Sequence, residues 1–404
     1  MLDIGTIHRR EYELDVNRPE GLPKGKRIGK DVGADETLEV VVAQAPGRIH
    51  FLGEHGDPDA GLYLSAAIDR SIKVAVSPRR DSSIRFYAPD LGERKRTTLA
   101  SLKYKREDRW ANYIKVAMHL FIELGFQVRG LNFTVTGNIP QNVGLASSSA
   151  MELASAVALR GLLKAKMGET ELARKLAAVH LLYFEKAPCI ADYLVGLLAR
   201  NEQFLMIDEA NLSVTKIKSP FSRCKFIITD TRVPRIGVET ELMTRREDLG
   251  SAVEILSQGR KGASIRDFVA MDIMDSMGDL PEKTRRRSLH VVQEVQRVPD
   301  AAELLRRADL TGFSKLVFHS HEGLRDLYEI SCPETDWLVK RAQETPGVFG
   351  SRMVGHGFGG CTYAIMKNEA VDEYRQRLDD YERIFGFNLV THEVKLATGS
   401  RVVV

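Results

Sequence analysis

From Leu38 onward, apolar and polar positions fall into short runs that read as strands and longer runs that read as helices. LEVVVAQ (Leu38 to Gln44), IKVAVS (Ile72 to Ser77) and LNFTVTG (Leu131 to Gly137) predict strands. ASSSAMELASAVALRGLLKA (Ala146 to Ala165) is rich in Ala and Leu and predicts a helix, followed by a second over Glu171 to Phe184 and a third beginning near Ile190. FLMID (Phe204 to Asp208) and KFIITD (Lys225 to Asp230) return to strand. The second half predicts helices at Glu239 to Leu256, Ser288 to Ala308, Gly312 to Glu322 and Thr335 to Ala342. Strands follow at MVGHG and TYAIM, then a helix over Val371 to Ile384 and a last strand near Asn388 to Val394. Residues before about Leu38 are aperiodic and rich in Lys, Gly and Arg, which predicts a loose arm. Ser, Lys and Pro interrupt the pattern near Ser213 to Phe221, where a domain junction is expected. The class is α+β.

Length sharpens this reading, because 404 residues exceed one ordinary domain. An arm at 1–37, a first domain at 38–217 and a second at 218–404 are expected. Hydrophobic residues at 43% and charged residues at 28% fit a soluble globular chain. The 58 basic and 55 acidic residues nearly cancel to a net charge of +3, leaving no general field for nucleic acid or membrane. Basic clusters at Lys24 to Lys30, Arg79-Arg80, Arg94 to Arg96 and Arg285 to Arg287 lack interleaved aromatics and read as solvated surface. Cys189, Cys224, Cys332 and Cys361 are too widely spaced for a zinc motif or a disulfide framework. The opening MLDIGTIHRREYELD lacks the apolar core of a signal peptide, and no stretch is long and apolar enough to span a bilayer. A cytoplasmic monomer or weak homodimer is expected.

Three segments carry chemistry. In GNIPQNVGLASSSAMELASA a strand ends, a Gly/Asn/Pro turn follows, and small residues enter a helix. Ser147, Ser148 and Ser149 stand where helix amides lack partners, so an anion is favoured there, and the hydroxyls add a possible Mg²⁺ ligand. A serine-capped helix is the plainer alternative. No Gly-Lys-Ser/Thr follows, so this is not a Walker A loop. In APGRIHFLGEHGDPDAG, Glu54, His55, Asp57 and Asp59 crowd a turn behind a strand carrying Arg48. Such acceptors suit sugar hydroxyls, a metal fits them poorly without a second His, and a solvated acidic loop is the bland alternative. In VGHGFGGCTYAIM four glycines between two strands permit close packing, and the helix and acid of a dinucleotide fingerprint are missing.

In this order the three segments resemble the signature motifs of the GHMP kinases, most closely those of galactokinases. Gly47 to Asp57 matches Gly-Arg followed by Gly-Glu-His-x-Asp, Gly144-Leu145-Ala146-Ser147-Ser148 resembles Gly-Leu-Ser-Ser-Ser, and Gly355 to Cys361 matches Gly-x-Gly-Phe-Gly-Gly-Cys. SHEGLRDLYEISCPETDWLVKRA (Ser320 to Ala342) resembles the galactokinase C-terminal half. The resemblance implies a two-domain GHMP kinase fold, with an N-terminal ATP-binding β/α domain, a ferredoxin-like C-terminal domain and the substrate between them. It implies ATP and Mg²⁺ as cofactors and phosphorylation of a sugar at its anomeric hydroxyl, with galactose leading.

CIADYLVGLL (Cys189 to Leu198) is similar to the family's Gly-Ile-Met-Asp-Gln segment, which places Asp192 on the catalytic aspartate and Arg48 on its partner arginine. The plainer reading of Asp192 is an exposed aspartate at a helix start. The resemblance further implies that Asn142, Val143, Gly144, Leu145, Ala146, Ser147 and Ser148 bind ATP, that Ser148 contacts Mg²⁺, and that Glu54, His55, Gly56 and Asp57 bind the sugar. The chain departs from the pattern at several positions. His180 stands twelve residues before Asp192, where the family has a Mg²⁺-binding glutamate, and Glu185 is the nearest carboxylate. Gly56, Pro58, Cys189, Tyr193 and Leu242 alter the sugar side. A kinase of a uronic acid, an amino sugar or a pentose, or a weakly catalytic sugar and ATP sensor, are the alternatives.

Overall fold

The structure is a computed structural model that describes residues 3–16, 39–57, 61–259 and 261–403. Most of the expected arm (17–38), and Pro58 and Asp59 of the acidic turn, lie outside the described residues. Strands β1 (Val41–Leu52), β2 (Leu62–Pro78), β3 (Ser83–Ala88), β4 (Glu93–Thr98), β5 (Leu131–Gly137), β6 (Gln203–Asp208) and β7 (Ser213–Lys218) belong to a first sheet. A second sheet holds β8 (Cys224–Asp230), β9 (Val348–Val354), β10 (Cys361–Lys367) and β11 (Val390–Val394), and β12 (Arg401–Val402) returns to the first.

The first sheet runs β12-β1-β2-β5-β3-β4, with β6 on β2 and β7 on β6. Its pairs are antiparallel except β3 with β5. Helices α1 (Ile4–Val16), α2 (Ala111–Glu123), α3 (Ser147–Leu162), α4 (Glu169–Phe184) and α5 (Ile190–Leu198) accompany it, with α3 and α5 against β1 and β2. The second sheet is ordered β11-β8-β10-β9 and wholly antiparallel. Between β8 and β9 run α6 (Val238–Gly259), α7 (Ala270–Asp275), α8 (Glu282–Arg306), α9 (Leu310–Asp326) and α10 (Pro333–Gln343). Between β10 and β11 run α11 (Val371–Gln376) and α12 (Tyr381–Phe385). Strand, helices, two strands, helices, strand is the ferredoxin-like succession that the family resemblance implies.

Beyond α2, β3 and β4, which the sequence reading left unassigned, three places differ from it, each for a physical reason. Residues 4–16 are a helix rather than part of a loose arm. Its buried His8 pairs with Thr134 Oγ1 at 2.9 Å and Ser77 Oγ at 2.8 Å, and Tyr12 donates to the Phe133 carbonyl at 3.1 Å. Residues 213–218, read as a break, form β7, an edge strand whose exposed Ser and Lys positions conceal its alternation. The helix expected over Val371 to Ile384 is split into α11 and α12 by the turn at 377–380.

An aromatic cluster joins the two sheets. Phe51 of β1 packs edge-on to Phe204 of β6 and Tyr363 of β10 at 4.9 and 4.8 Å, and the Tyr363 hydroxyl donates to the Phe51 carbonyl at 2.9 Å. The tail crosses back over this junction. The Ser400 amide donates to the Gly196 carbonyl of α5 at 2.6 Å, and the Val403 amide donates to Val42 of β1 at 2.7 Å.

Burial, with Arg9 adding to it, pushes His8 down from 6.5 to about 3. The unfolded chain takes up this proton near pH 6.5 while the fold refuses it, so stability falls as pH drops from about 6.5 toward 3. Replacing His8 by Gln should therefore shrink the stability lost between pH 7 and pH 5 by about 2 kcal/mol, as measured by urea unfolding at the two pH values.

Candidate active site

The site begins at an irregularity in β1. Pro46 pairs with Ser71 of β2 but Arg48 pairs with Ala67, a register shift that turns the strand and re-aims its side chains. Gly47 makes this possible: a Cβ there would stand 2.9 Å from the Leu145 carbonyl oxygen. The Arg48 amide donates to that same oxygen at 3.2 Å, clipping β1 to the loop before α3. Arg48 and His50, two apart on the strand, then face one way.

Both meet Asp192. Arg48 Nε donates to Asp192 Oδ1 at 2.6 Å, His50 Nε2 lies 3.1 Å from the same oxygen, and Ser149 Oγ donates to Oδ2 at 2.8 Å. Asp192 lies in the first turn of α5 but is only 8% exposed, so it is not a solvated helix-start aspartate. Close contact between α5 and α3 brings it to Ser149; a Cβ on Gly196 would stand 2.3 Å from Leu153 Cδ1. Burial favours the protonated carboxyl, yet Arg48 and the hydrogen bond from His50 hold it well below the usual carboxylate range. Arg48 is correspondingly pushed up despite its burial, by Asp192 and Glu54. Burial and the neighbouring Arg48 keep His50 low, and therefore neutral.

The loop before α3 is shaped to leave amides open. Its N-cap is Ala146, held at φ 60°, and a methyl group accepts no hydrogen bond. The three serines lie inside the first turn, so the serine-cap reading does not hold, and the amides of Ser147, Ser148 and Ser149 lack an intrahelical partner. Asn142, also at φ 60°, carries the turn that Gly144 continues at φ 93°. Arg48 Nη1 donates to the Gly144 carbonyl at 2.5 Å, linking Asp192 to this turn through one guanidinium. The glycine-rich segment packs behind it: a Cβ on Gly144 would stand 2.7 Å from Gly355 Cα, and Cys361 Sγ donates to the Val143 carbonyl at 3.0 Å. Leu145 is buried beneath the turn.

The acidic turn also closes on this point. Glu54 is buried 3.7 Å from Arg48 Nη1, and its two oxygens accept from the Gly355 amide at 3.0 and 2.9 Å. His55 lies at φ 61° with Nε2 2.8 Å from the Gly355 carbonyl, and the Gly56 amide closes the turn on Gly53 at 3.1 Å. Asp57 accepts from the Ser264 hydroxyl, so its carboxylate faces the 262–267 segment of the second half. The structure therefore gathers Arg48, Asp192, Gly144 and Glu54 directly, with His55 and Gly56 beside them and Asp57 one turn further out.

Several residues in this region escaped the sequence reading. Period two along β1 from Arg48 would have found His50. Glu209 of the loop after β6 accepts from the Ala191 amide at 2.7 Å at the head of α5, and Tyr63 packs against His50 at a tilt, with ring centroids 4.6 Å apart. Glu152 of α3 is fully buried; its Oε1 lies 2.8 Å from His180 Nδ1, and its other oxygen accepts from the Tyr193 hydroxyl. Position 180 carries no carboxylate, and the Glu152 carboxylate is turned to His180 and Tyr193. Leu242 packs with the apolar cluster of the second half. Arg352 of β9 is fully buried between Glu54 and Glu294, at 3.4 and 3.5 Å.

The profile of the GHMP kinases N terminal domain matches residues 112–198, that of the GHMP kinases C terminal domain matches 301–382, and the galactokinase galactose-binding signature matches 30–78. A protein of Treponema pallidum with galactokinase as its provisional name is 37% identical over 89% of this chain and 92% of its own length. The galactokinase of Roseiflexus sp. is 32% identical, covering 84% and 86%. The crystal structure of Lactococcus lactis galactokinase complexed with galactose superposes with a TM-score of 0.84 at 26% identity, over 90% of this chain and 95% of that one.

Removing Arg352 should strand the Glu54 and Glu294 carboxylates. Arg352→Met is expected to destabilise the fold by about 3–5 kcal/mol, read as a lower urea midpoint; an unchanged midpoint would mean that the two carboxylates do not depend on it.

Proposed function

We propose, on the premise that this chain belongs to the galactokinase family of the GHMP kinases, that it transfers the γ-phosphoryl group of ATP to the anomeric hydroxyl of a monosaccharide, galactose foremost. The observation that carries this reading is the ionised Asp192 carboxylate, held by Arg48 beside the uncapped head of α3. The galactose-binding signature and the galactose complex of the Lactococcus lactis enzyme support the choice of sugar.

In this reading the nucleotide phosphates lie on the turn from Asn142 to Ser148, against the first-turn amides of α3 that lack an intrahelical partner. Ser148 would offer a hydroxyl oxygen to Mg²⁺, which would supply charge neutralisation at the transferring phosphate. Glu54, His55, Gly56 and Asp57 border the sugar, the two carboxylates as acceptors for its hydroxyls. Asp192 accepts the hydrogen of the anomeric hydroxyl, whose oxygen bonds to the γ-phosphorus as the bond to the β-phosphate oxygen breaks and ADP leaves. A carboxylate held so far down is a weak base. Asp192 therefore orients the hydroxyl first and takes its proton late, once the oxygen has begun to bond phosphorus, as a loose transition state permits. Arg48 keeps Asp192 charged and balances the charge gathering between them.

Two other readings have their own observations. The wall around Asp192, made of His50, Cys189, Tyr63 and Glu209, favours a different sugar, whether a uronic acid, an amino sugar or a pentose. The His180–Glu152 pair, in place of an open carboxylate, favours a weakly catalytic sensor of sugar and ATP.

Phosphorus NMR and ADP release over a panel of these sugars, with and without Mg²⁺, should show a sugar 1-phosphate formed only with Mg²⁺. Binding of sugar and ATP without product across the panel would instead establish the sensor. Asp192→Asn should lower kcat by at least about 100-fold, and full turnover in that variant would remove Asp192 from the mechanism. Because Asp192 stays ionised, kcat should show no acid limb from it between pH 5 and 8. Arg48→Met leaves burial to dominate, raises the Asp192 pKa and should bring such a limb into that range, alongside a lower rate.

A further inference from the structure

The geometry points to a second function for the Asp192 pocket: a thiophilic divalent cation of the zinc class binds to His50, Cys189 and Asp192 and shuts the site. His50 Nε2 stands 3.1 Å from Asp192 Oδ1 and 3.8 Å from Cys189 Sγ, and donor atoms of all three residues lie within 4.8 Å of one another. Ligand atoms around tetrahedral zinc, with bonds of about 2.0–2.3 Å, sit roughly 3.3–3.6 Å apart. The observed separations bracket that spacing, so a cation could enter with small side-chain movements. Cysteine spacing along the chain gave no hint of this, because Cys189 acquires its partners only through the packing of α5 on β1.

The surroundings supply what such a site needs. Ser65 Oγ lies 2.6 Å from His50 Nδ1, and a hydroxyl can either donate or accept there. With Nε2–H turned to Asp192, Ser65 donates to Nδ1. With the cation on Nε2, the ring proton sits on Nδ1 and Ser65 accepts it, the partner exchange that holds metal-bound imidazoles in place. The cation replaces the proton between His50 and Asp192, and the Cys189 thiol loses its proton to solvent as sulfur bonds the metal. Arg48 and Ser149 keep their lone pairs on Asp192, since a carboxylate offers about four. One nitrogen, one sulfur and one carboxylate oxygen suit zinc and disfavour Mg²⁺, which demands oxygen. Three protein ligands leave a fourth position of a tetrahedral shell open. The inhibitory half of the proposal rests on Asp192 receiving the sugar hydroxyl, whereas the binding half does not.

Cobalt(II) titrated into the full chain without nucleotide tests binding directly. One equivalent should produce tetrahedral d–d bands and a thiolate-to-cobalt charge-transfer band, both erased by Zn²⁺. Cys189→Ser should lose the charge-transfer band, His50→Gln should weaken binding at least tenfold, and Cys332→Ser should leave the spectrum intact. Should a variant fail to fold, the wild-type chain still decides: Zn²⁺ should protect Cys189 from alkylation, as mapped by mass spectrometry. No charge-transfer band in the wild type, a band that survives in a folded Cys189→Ser chain, or no protection would overturn the site. In turnover assays at fixed MgATP, Zn²⁺ should inhibit the wild type at a concentration at least tenfold below that needed for Cys189→Ser. Equal sensitivity of the two would overturn the inhibitory half, and a chain inactive on every sugar would still give the cobalt result.

Discussion

The site depends on one guanidinium. Arg48 reaches Asp192, the Gly144 carbonyl and, more distantly, Glu54, and so fixes the carboxylate proposed to meet the substrate, the turn proposed for phosphates and the acidic turn at a single point. Removing charges from water is expensive, and the cost is offset only where geometry and further hydrogen bonds are good. Here His50, Ser149 and the Gly355 amide supply those bonds. The backbone prepares the position beforehand: the shift in β1 and the side-chain-free Gly47 deliver Arg48 against the loop before α3. A second buried arginine, Arg352, does for the acidic turn and α8 what Arg48 does for α3 and α5. Together they make the junction of the two halves polar at its centre and aromatic, around Phe51 and Tyr363, at its flank.

The strands and helices with strong periodicity were legible in the sequence, as were the three glycine-bearing segments and Asp192. Their meeting was implied only by family resemblance, since no local pattern states that the first turn of α5 faces the first turn of α3. What was not legible follows a common logic. Edge strands such as β4 and β7 are polar on their exposed positions and so hide their alternation. Glu152 sits among Ala, Met and Leu in α3 and reads as a solvent-facing residue until His180 and Tyr193 are seen across from it. Arg352 and Glu294 are far apart in the chain, and a charge in a strand or a helix gives no sign of its partner until the fold supplies one.

Two of the altered positions, Cys189 and Tyr193, meet at the head of α5, while Leu242 packs elsewhere in the second half. His50, Tyr63, Cys189 and Glu209 touch one another around the head of α5, and Tyr193 leaves that surface to bind Glu152 behind it. A change at any one of them alters the hydrogen-bonding needs of the next, so these side chains act as a cluster rather than as single contacts.

The returning tail has a bearing on how the molecule is made. Residues 399–403 tie the carbonyls of α5 to the outer edge of β1, the two elements that carry Asp192 and Arg48. During synthesis both elements leave the ribosome roughly two hundred residues or more ahead of this fastener. Until it arrives, β1 presents an open edge, and the Gly196 carbonyl of α5 lacks the donors that the returning segment supplies. The first half can thus collapse early, while the corner holding Arg48 and Asp192 is locked only once residues 399–403 have been made.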